Sequence, residues 1–340
     1  MNRKTFLLQV SGTGLALLAG NTLLATPAAR IEIEKGKRVG IIGLDSSHSI
    51  AFTKLLNGAG NDVYHGYKVV AAYPYGSKDI SLSKERIPVY VEEIQKLGVQ
   101  ITTSILQLLE QVDVVLLETN DGRLHKEQSL EVFRAGKPVF IDKPIASSLK
   151  DTREIFAAAS QYKVPVFSSS ALRFQESVQI IQSGKYGKVI GADTFSPAFL
   201  EPSHPDLFWY GIHGVESLFA LMGKGCESVE RHYTPEGDFV TGKWKDGRIG
   251  TFRGLRSGKT DFGGTCYCEN GIVQLGTFSG YESLLQQVTN FFDTGVSPVA
   301  KEETLELIAF LEAAEKSKLT GGKPVRLKEI EEVTYEKIKS

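Results

Sequence analysis

Short apolar runs alternate with helical segments from residue 38 to residue 141, and this alternation restricts the fold more than any other feature. The predicted strands are residues 38–43, 67–73, 112–118 and 139–141, and the predicted helices are 49–56, 89–97, 104–111 and 126–135. Strands that alternate with helices form a parallel sheet with right-handed crossovers. The nearly continuous apolar run 112–118 is typical of a strand covered on both faces. We therefore predict a Rossmann-type, doubly wound domain over residues 37–147.

Strands outnumber helices in the rest of the chain. The predicted strands are residues 164–168, 189–195, 228–233, 239–243, 249–253, 260–268 and 271–275, and the predicted helices are 149–162, 284–292 and 303–316. Asp246-Gly247 is a favourable hairpin turn. This pattern indicates a second α/β domain over residues 148–340 rather than a second Rossmann unit.

Composition excludes some classes of partner and of site. The 340 residues carry a net charge of −1, so the chain lacks the basic excess with which proteins bind nucleic acid or anionic membranes. Its length suits two domains. The three cysteines predict no disulfide framework and no metal cluster, and we expect buried or unpaired thiols.

The N-terminus has the layout of an export signal. Basic Arg3-Lys4 precede an apolar run to Leu24, and small residues follow at Ala25, Ala28 and Ala29. The pair resembles a twin-arginine export signal whose second arginine is replaced. The twin-arginine export route carries folded proteins. A membrane anchor is the alternative, but polar and glycine residues at 11–14 interrupt the run. We predict that residues 1–29 are a signal peptide, that the mature protein is periplasmic, and that it makes no membrane contact after cleavage.

The strand 139–141 ends abruptly in Asp142, Lys143 and Pro144. Proline fixes its own φ and favours an extended conformation before it, which holds the Lys143 ammonium at the carboxyl end of the strand. Ligands of open α/β sheets bind at that edge. We therefore expect Lys143 to take part in chemistry; the alternative is a structural ion pair with Asp142.

The turn after the first strand carries only part of a dinucleotide fingerprint. Gly43 matches the first glycine of G-x-G-x-x-G, but Asp45 and His48 stand at the other two glycine positions. Ser46 and Ser47 are suited to donating hydrogen bonds to a phosphate at the start of the helix. The alternative is that this turn only caps the helix and binds no dinucleotide.

The end of the second predicted strand bears on the choice of dinucleotide. Tyr73 ends this strand, and no acid follows it for an adenosine ribose. Ser77 and Lys78 lie just beyond, which favours NADP.

Residues 112–146 resemble the Gfo/Idh/MocA family of oxidoreductases, which includes glucose–fructose oxidoreductase and inositol dehydrogenases. The resemblance rests on Thr119-Asn120 after a strand, on His125, on Ala135-Gly136-Lys137, and on Asp142-Lys143-Pro144 in place of an E-K-P motif. It implies a Rossmann domain followed by an α/β domain whose large, mostly antiparallel sheet forms the subunit interface. A homo-oligomer, dimer or tetramer, is the expected assembly.

Gly211 and His213 match a second family motif, D-x-G-x-H-x-x-D. Glu216 replaces the final aspartate of the motif, and Trp209 stands at the position of the first. The resemblance implies that His213 lies by the reacting carbon. Histidine suits proton transfer because its ordinary pKa is near neutral. Arg173 matches an Arg-Phe pair of the family and is a candidate substrate residue.

The expected function is an NAD(P)-dependent oxidoreductase that acts on a hydroxyl of a sugar, cyclitol or glycoside, with its cofactor tightly bound if the protein is exported. The candidate residues are Lys143 and His213 for catalysis; Gly43, Asp45, Ser46, Ser47, His48, Asn120, His125, Asp142 and Lys143 for the cofactor; and Arg173, Trp209, Tyr210 and Glu216 for the substrate. A metal site near His204, Asp206, His213 and Glu216 has no H-E-x-x-H support, so none is predicted. The alternatives are a non-redox sugar-binding or scaffold relative, and a hydrolase that uses its cofactor transiently.

Overall fold

A computed structural model describes the backbone of residues 38–339 and the side chains of residues 38–334. The predicted export signal, residues 1–29, lies outside this part of the chain. Within the described residues, no helix combines the length and the apolar character needed to span a membrane.

The N-terminal sheet has six parallel strands in the order β3-β2-β1-β4-β5-β6. The strands are β1 (Arg38–Ile42), β2 (Lys68–Tyr73), β3 (Gln100–Ile101), β4 (Val114–Leu117), β5 (Val139–Ile141) and β6 (Val166–Ser168). The helices of this half are α1 (Ser47–Asn57), α2 (Ser81–Lys96), α3 (Ile105–Leu109), α4 (His125–Arg134) and α5 (Leu149–Tyr162), with a 3-10 helix at Asn61–Tyr64. This is the predicted doubly wound fold.

Two details of this half differ from the prediction. Strand β6 pairs in parallel with β5, so the N-terminal sheet continues past the predicted boundary at residue 147 through one more crossover, α5. Helix α2 also begins well before the predicted 89–97, because the exposed Pro88 lies inside the helix without ending it.

The second sheet has seven strands in the order β12-β11-β7-β10-β9-β8-β13 and is antiparallel except where β7 pairs with β10. The strands are β7 (Val189–Pro197), β8 (Cys226–Thr234), β9 (Gly237–Trp244), β10 (Ile249–Leu255), β11 (Gly263–Cys268), β12 (Gly271–Leu275) and β13 (Val325–Arg326). The helices are α6 (Glu176–Gln182), α7 (Asp206–Trp209), α8 (Ile212–Met222), α9 (Glu282–Thr294), α10 (Lys301–Leu319) and α11 (Leu327–Lys339), with a 3-10 helix at Ala171–Phe174. The predicted fold class is confirmed. The cysteines are buried and unpaired, as expected.

Helix α9 packs against the N-terminal half although it comes late in the chain. Its apolar face, which includes Leu284, Val288 and Phe292, is buried in the same core as Phe52 and Tyr67. This docking places Tyr281, the residue before α9, beside the start of α1, where it contributes to the cavity described next.

Candidate active site

A cavity of about 250 Å³ lies at the carboxyl ends of the N-terminal strands. Both halves of the chain line it: Ser46, Ser47, His48, Leu82, Arg86, Asn120, Lys143, Ser170, Ala171, Leu172, Trp209, Tyr210, His213, Phe262, Phe278 and Tyr281. The predicted catalytic residues Lys143 and His213 are both in this set, so the fold brings the two sequence motifs together.

Lys143 follows β5 directly, and its side chain is 8% exposed at the cavity wall. Its backbone N–H donates to Asp142 Oδ1 over 2.7 Å, which fixes the start of the turn. The ammonium lies 5.9 Å from the centroid of the Tyr210 ring, within cation–π range. The lysine is therefore held by its own neighbours and directed at the space where a substrate would lie.

His213 lies in the first turn of α8, and its Nδ1 is 2.8 Å from Ser170 Oγ. The edges of Tyr210 and Phe262 flank the ring at centroid distances of 5.5 and 5.7 Å. Burial lowers the pKa of His213 well below its usual value, and the Lys143 charge lowers it further. The imidazole is therefore neutral at pH 7, which is the form that accepts a proton.

The turn between β1 and α1 keeps one feature of a phosphate-binding loop. Gly43 has φ +94°, and a Cβ there would lie 2.3 Å from the Thr119 nitrogen, so only glycine fits. Ser46 caps α1 by accepting from the His48 N–H. Ser46 and Ser47 line the cavity, whereas Gly43 and Asp45 are not among its lining residues.

Asp45 is buried beneath this turn. Its Oδ1 accepts a hydrogen bond of 2.9 Å from the backbone N–H of Asn120. Burial raises the pKa of the carboxyl to about 6, although the Asn120 bond acts in the opposite direction. The aspartate thus stands at a glycine position without directing its charge into the cavity.

His48, Glu118 and Asp142, named here the His48 cluster, meet below the cavity. His48 Nδ1 lies 3.1 Å from Asp142 Oδ1 and 3.5 Å from Glu118 Oε2. Burial lowers the pKa of His48, but the two carboxylates outweigh it and raise the pKa to about 9. Burial raises the pKa of Glu118 to about 7, whereas His48 and Lys143 hold that of Asp142 below its usual value against the effect of burial.

Two predicted cofactor residues have different surroundings. Asn120 lines the cavity. His125 is fully buried behind it, with Nδ1 2.9 Å from the Pro144 carbonyl oxygen and Nε2 2.6 Å from that of Thr119. Since both ring nitrogens face backbone oxygens, His125 ties together the loops that follow β4 and β5.

The four predicted substrate residues separate into two pairs. Trp209 and Tyr210 line the cavity. Arg173 and Glu216 do not: Arg173 Nε lies 2.5 Å from Glu216 Oε1, and its Nη1 lies 2.6 Å from Glu303. This buried ion pair anchors the 3-10 helix at Ala171–Phe174 to α8 and α10.

Sequence reasoning missed five lining residues that carry charge, a hydroxyl or an aromatic ring: Arg86, Ser170, Phe262, Phe278 and Tyr281. Arg86 also donates to the Asp45 carbonyl oxygen over 3.1 Å. The aromatic residues come from segments with no local motif, so only their packing identifies them.

Comparison with known proteins finds a family match for the N-terminal region. Residues 37–170 match the Gfo/Idh/MocA model, described as an oxidoreductase family with an NAD-binding Rossmann fold. The chain is 34% identical over 129 residues to the 1,5-anhydro-D-fructose reductase of Ensifer adhaerens, a stretch that covers 36% of this chain and 38% of that protein. It is 25% identical over 154 residues to the oxidoreductase YhhX of Escherichia coli, covering 42% and 43%. The chain thus matches less than half the length of these curated relatives.

Solved structures share the whole fold. The apo scyllo-inositol dehydrogenase of Lactobacillus casei matches with a TM-score of 0.69 at 16% identity, over 87% of this chain and 99% of that chain. An oxidoreductase of Agrobacterium radiobacter, solved with NAD+, L-tartaric acid and magnesium, matches with a TM-score of 0.66 at 14% identity, over 87% and 99%. These likenesses establish the architecture of both domains.

Proposed function

We propose that the protein is an NAD(P)-dependent oxidoreductase acting on a hydroxyl of a sugar, cyclitol or glycoside. The match of residues 37–170 to the Gfo/Idh/MocA model, an oxidoreductase family with an NAD-binding Rossmann fold, supports this proposal. Lys143 and His213 would act at the reacting carbon. The observation that carries this proposal is that both residues, from different domains, line one cavity at the carboxyl ends of the Rossmann strands.

The residues around the β1–α1 turn fit a dinucleotide. Gly43 keeps the tight turn, and the Asp45 carboxylate bonds to Asn120 instead of facing the cavity. Ser46 and Ser47 lie at the start of a helix, where phosphates bind favourably. These serines and Asn120 would hold the cofactor, with positive charge nearby on Arg86 and Lys143. When bound, the nicotinamide supplies the hydride acceptor or donor.

The protein's own groups would handle the proton and the charge. His213 is neutral, and its Nδ1 contacts Ser170, which leaves Nε2 to take a proton from a substrate hydroxyl. The Lys143 ammonium would stabilise the negative charge that develops on the same oxygen. Trp209 and Tyr210 supply flat apolar surfaces suited to a sugar ring.

Titration with NADH and NADPH, followed by turnover of a panel of sugars, cyclitols and glycosides, tests the proposal. We expect binding of one dinucleotide and a turnover that falls about 10²-fold or more in Lys143→Ala and His213→Ala. The exposed His232→Ala serves as the control. Failure to bind either dinucleotide would overturn the proposal.

A second candidate is a non-redox sugar-binding relative, and the crowding at α1 favours it. The Tyr281 ring lies 4.5 Å from the His48 ring, and its hydroxyl is 3.4 Å from Ser47 Oγ, next to the start of the helix. Calorimetry that detects sugar binding with no dinucleotide binding, unchanged in Lys143→Ala, would select this candidate.

We also propose a homo-oligomer formed through the open face of the second sheet. Ile272, Tyr267 and Ile249 lie in one row across paired strands and are 69%, 38% and 55% exposed. Packing this row against the same row of a second protomer would remove apolar surface from water. Light scattering should report smaller particles for Ile249→Lys, whereas Leu106→Lys, at another exposed apolar site, should leave the mass unchanged.

Export to the periplasm is proposed from the basic and apolar N-terminal sequence alone. N-terminal sequencing of protein from the periplasmic fraction tests it. A mature N-terminus after residue 25 would support export, and an intact N-terminus found only in the cytoplasm would contradict it.

A further inference from the structure

We propose that the His48 cluster binds a divalent transition-metal ion directly below the cavity. Its three potential ligand atoms, one imidazole nitrogen and two carboxylate oxygens, all lie within 4.8 Å of one another, and all three side chains are buried. The site goes beyond the proposed hydride transfer and does not depend on a bound dinucleotide.

The fold explains why these residues meet. Glu118 follows β4 and Asp142 follows β5, and these strands are parallel neighbours, so their carboxyl ends lie side by side. His48 enters from the first turn of α1, at the third glycine position of the fingerprint. Three elements far apart in the chain thus direct their side chains to one point.

The surroundings of the Glu118 carboxylate support a bound ion. Glu118 is fully buried, and neither of its carboxylate oxygens has a hydrogen-bond partner among the described residues. A buried carboxylate that accepts no hydrogen bond is costly, even with His48 Nδ1 3.5 Å away. A divalent cation balances the charges of Glu118 and Asp142, and His48 then coordinates as the neutral imidazole.

The distances between the three ligand atoms, and their chemical types, restrict which metal ion the His48 cluster can bind. Ligands at the usual zinc distances in a tetrahedral site are about 3.4 Å apart, and His48 Nδ1 lies 3.1 and 3.5 Å from the two carboxylate oxygens. An imidazole with two carboxylates suits Zn²⁺ or Mn²⁺ better than Mg²⁺, which prefers oxygen ligands alone. Three protein ligands leave a position for water or substrate, and His48 itself lines the cavity.

Metal binding is tested on the full-length protein stripped with a chelator and titrated separately with Zn²⁺, Mn²⁺ and Mg²⁺. Calorimetry, and the loss of the free Mn²⁺ resonance spectrum, measure binding. We expect one equivalent of Zn²⁺ or Mn²⁺ and a rise in Tm on binding. Glu118→Gln and His48→Gln should each weaken binding roughly tenfold or more, because each removes a ligand.

His232→Gln is the matched control, since His232 also lies beside a carboxylate, Glu230, but on the exposed surface. This variant should bind metal as the unaltered protein does. The proposal is overturned if no ion binds stoichiometrically, or if all variants bind equally. A Glu118→Gln protein that is more stable than the parent at every metal concentration also overturns it, since the cluster is then only an ion pair of protonated His48. Dinucleotide binding to the stripped protein is measured separately, so failure of this site does not count against the oxidoreductase.

Discussion

Arg231 in the second sheet and His48 below the cavity each hold carboxylates away from water, but their hydrogen bonding differs. Arg231 is fully buried and donates to three acids, with Nε 2.8 Å from Asp238, Nη1 2.6 Å from Glu315 and Nη2 2.9 Å from Asp206. Lys318 and Arg256 add further bonds to Asp206 and Asp238. In the His48 cluster, the Glu118 carboxylate accepts no hydrogen bond within the described part of the chain.

The difference separates a structural cluster from a functional one. The planar guanidinium has five N–H donors that can be matched to acids by packing alone, and such a network fixes β8 against α7 and α10. The His48 cluster keeps unused acceptors and adjoins the cavity, a combination that is costly for folding but useful for binding. Substitutions in the two clusters should therefore affect different measurements.

Arg231→Met should give the largest change, a loss of about 3–5 kcal/mol in the free energy of unfolding, because three acids lose a buried partner. Denaturant unfolding measures it. Lys54→Met is the control: its bond of 2.6 Å to Glu93 is exposed, so its loss should cost less than about 1 kcal/mol. Equal effects of the two variants would contradict the assignment of Arg231 as a structural centre.

Much of this architecture follows from the sequence. The apolar runs identified most strands, because a short run of β-branched residues bounded by turn residues is enough to indicate a buried strand. Lys143 and His213 line one cavity, as the family resemblance implies, and their catalytic roles stay predictions. Strand β6 joins the N-terminal sheet beyond the predicted boundary at residue 147, because a run such as 164–168 does not reveal which sheet it joins.

The remaining differences depend on tertiary contacts. Arg173 and Glu216 are common site residues by type, but nothing local reveals that they pair with each other. Glu118 ends an apolar run and looked like the end of a strand. Tyr281 reaches Ser47 only because α9 packs on the other half of the molecule. Contacts between residues so far apart in the chain leave no periodic pattern in the sequence that could reveal them.

His213→Asn should lower turnover about 10²-fold or more, since the group that accepts the proton is lost. Unlike Arg231→Met, it should change the free energy of unfolding by less than about 1 kcal/mol, because the imidazole is neutral and bonds to one hydroxyl. Steady-state kinetics and denaturant unfolding on the same preparation separate the two effects. Lost stability with unchanged turnover would make His213 a packing residue.

Asp45→Asn should raise stability at pH 8 by up to about 3 kcal/mol, because the folded carboxyl has a pKa of about 6 against an ordinary 3.8. The folded state then binds more protons than the unfolded state between these values, so this group's contribution to stability falls as pH rises through that window. Asparagine keeps an acceptor for the Asn120 N–H and does not titrate. Unfolding measured from pH 4 to pH 8 should show a smaller decline in the variant; identical profiles would show that Asp45 has an ordinary pKa.

Tyr281→Phe should have the smallest effect, about 0.5 kcal/mol or less in unfolding free energy, because among residues 38–334 its hydroxyl makes a single long bond, 3.4 Å to Ser47. The ring should matter more: it lies 4.5 Å from the His48 ring and 5.8 Å from that of Phe52. Tyr281→Ala should therefore cost about 3 kcal/mol and expose the His48 cluster to water. Thermal and denaturant unfolding of both variants distinguish the two contributions. A large loss in Tyr281→Phe would mean that the hydroxyl, rather than packing of the ring from α9, holds the wall of the cavity in place.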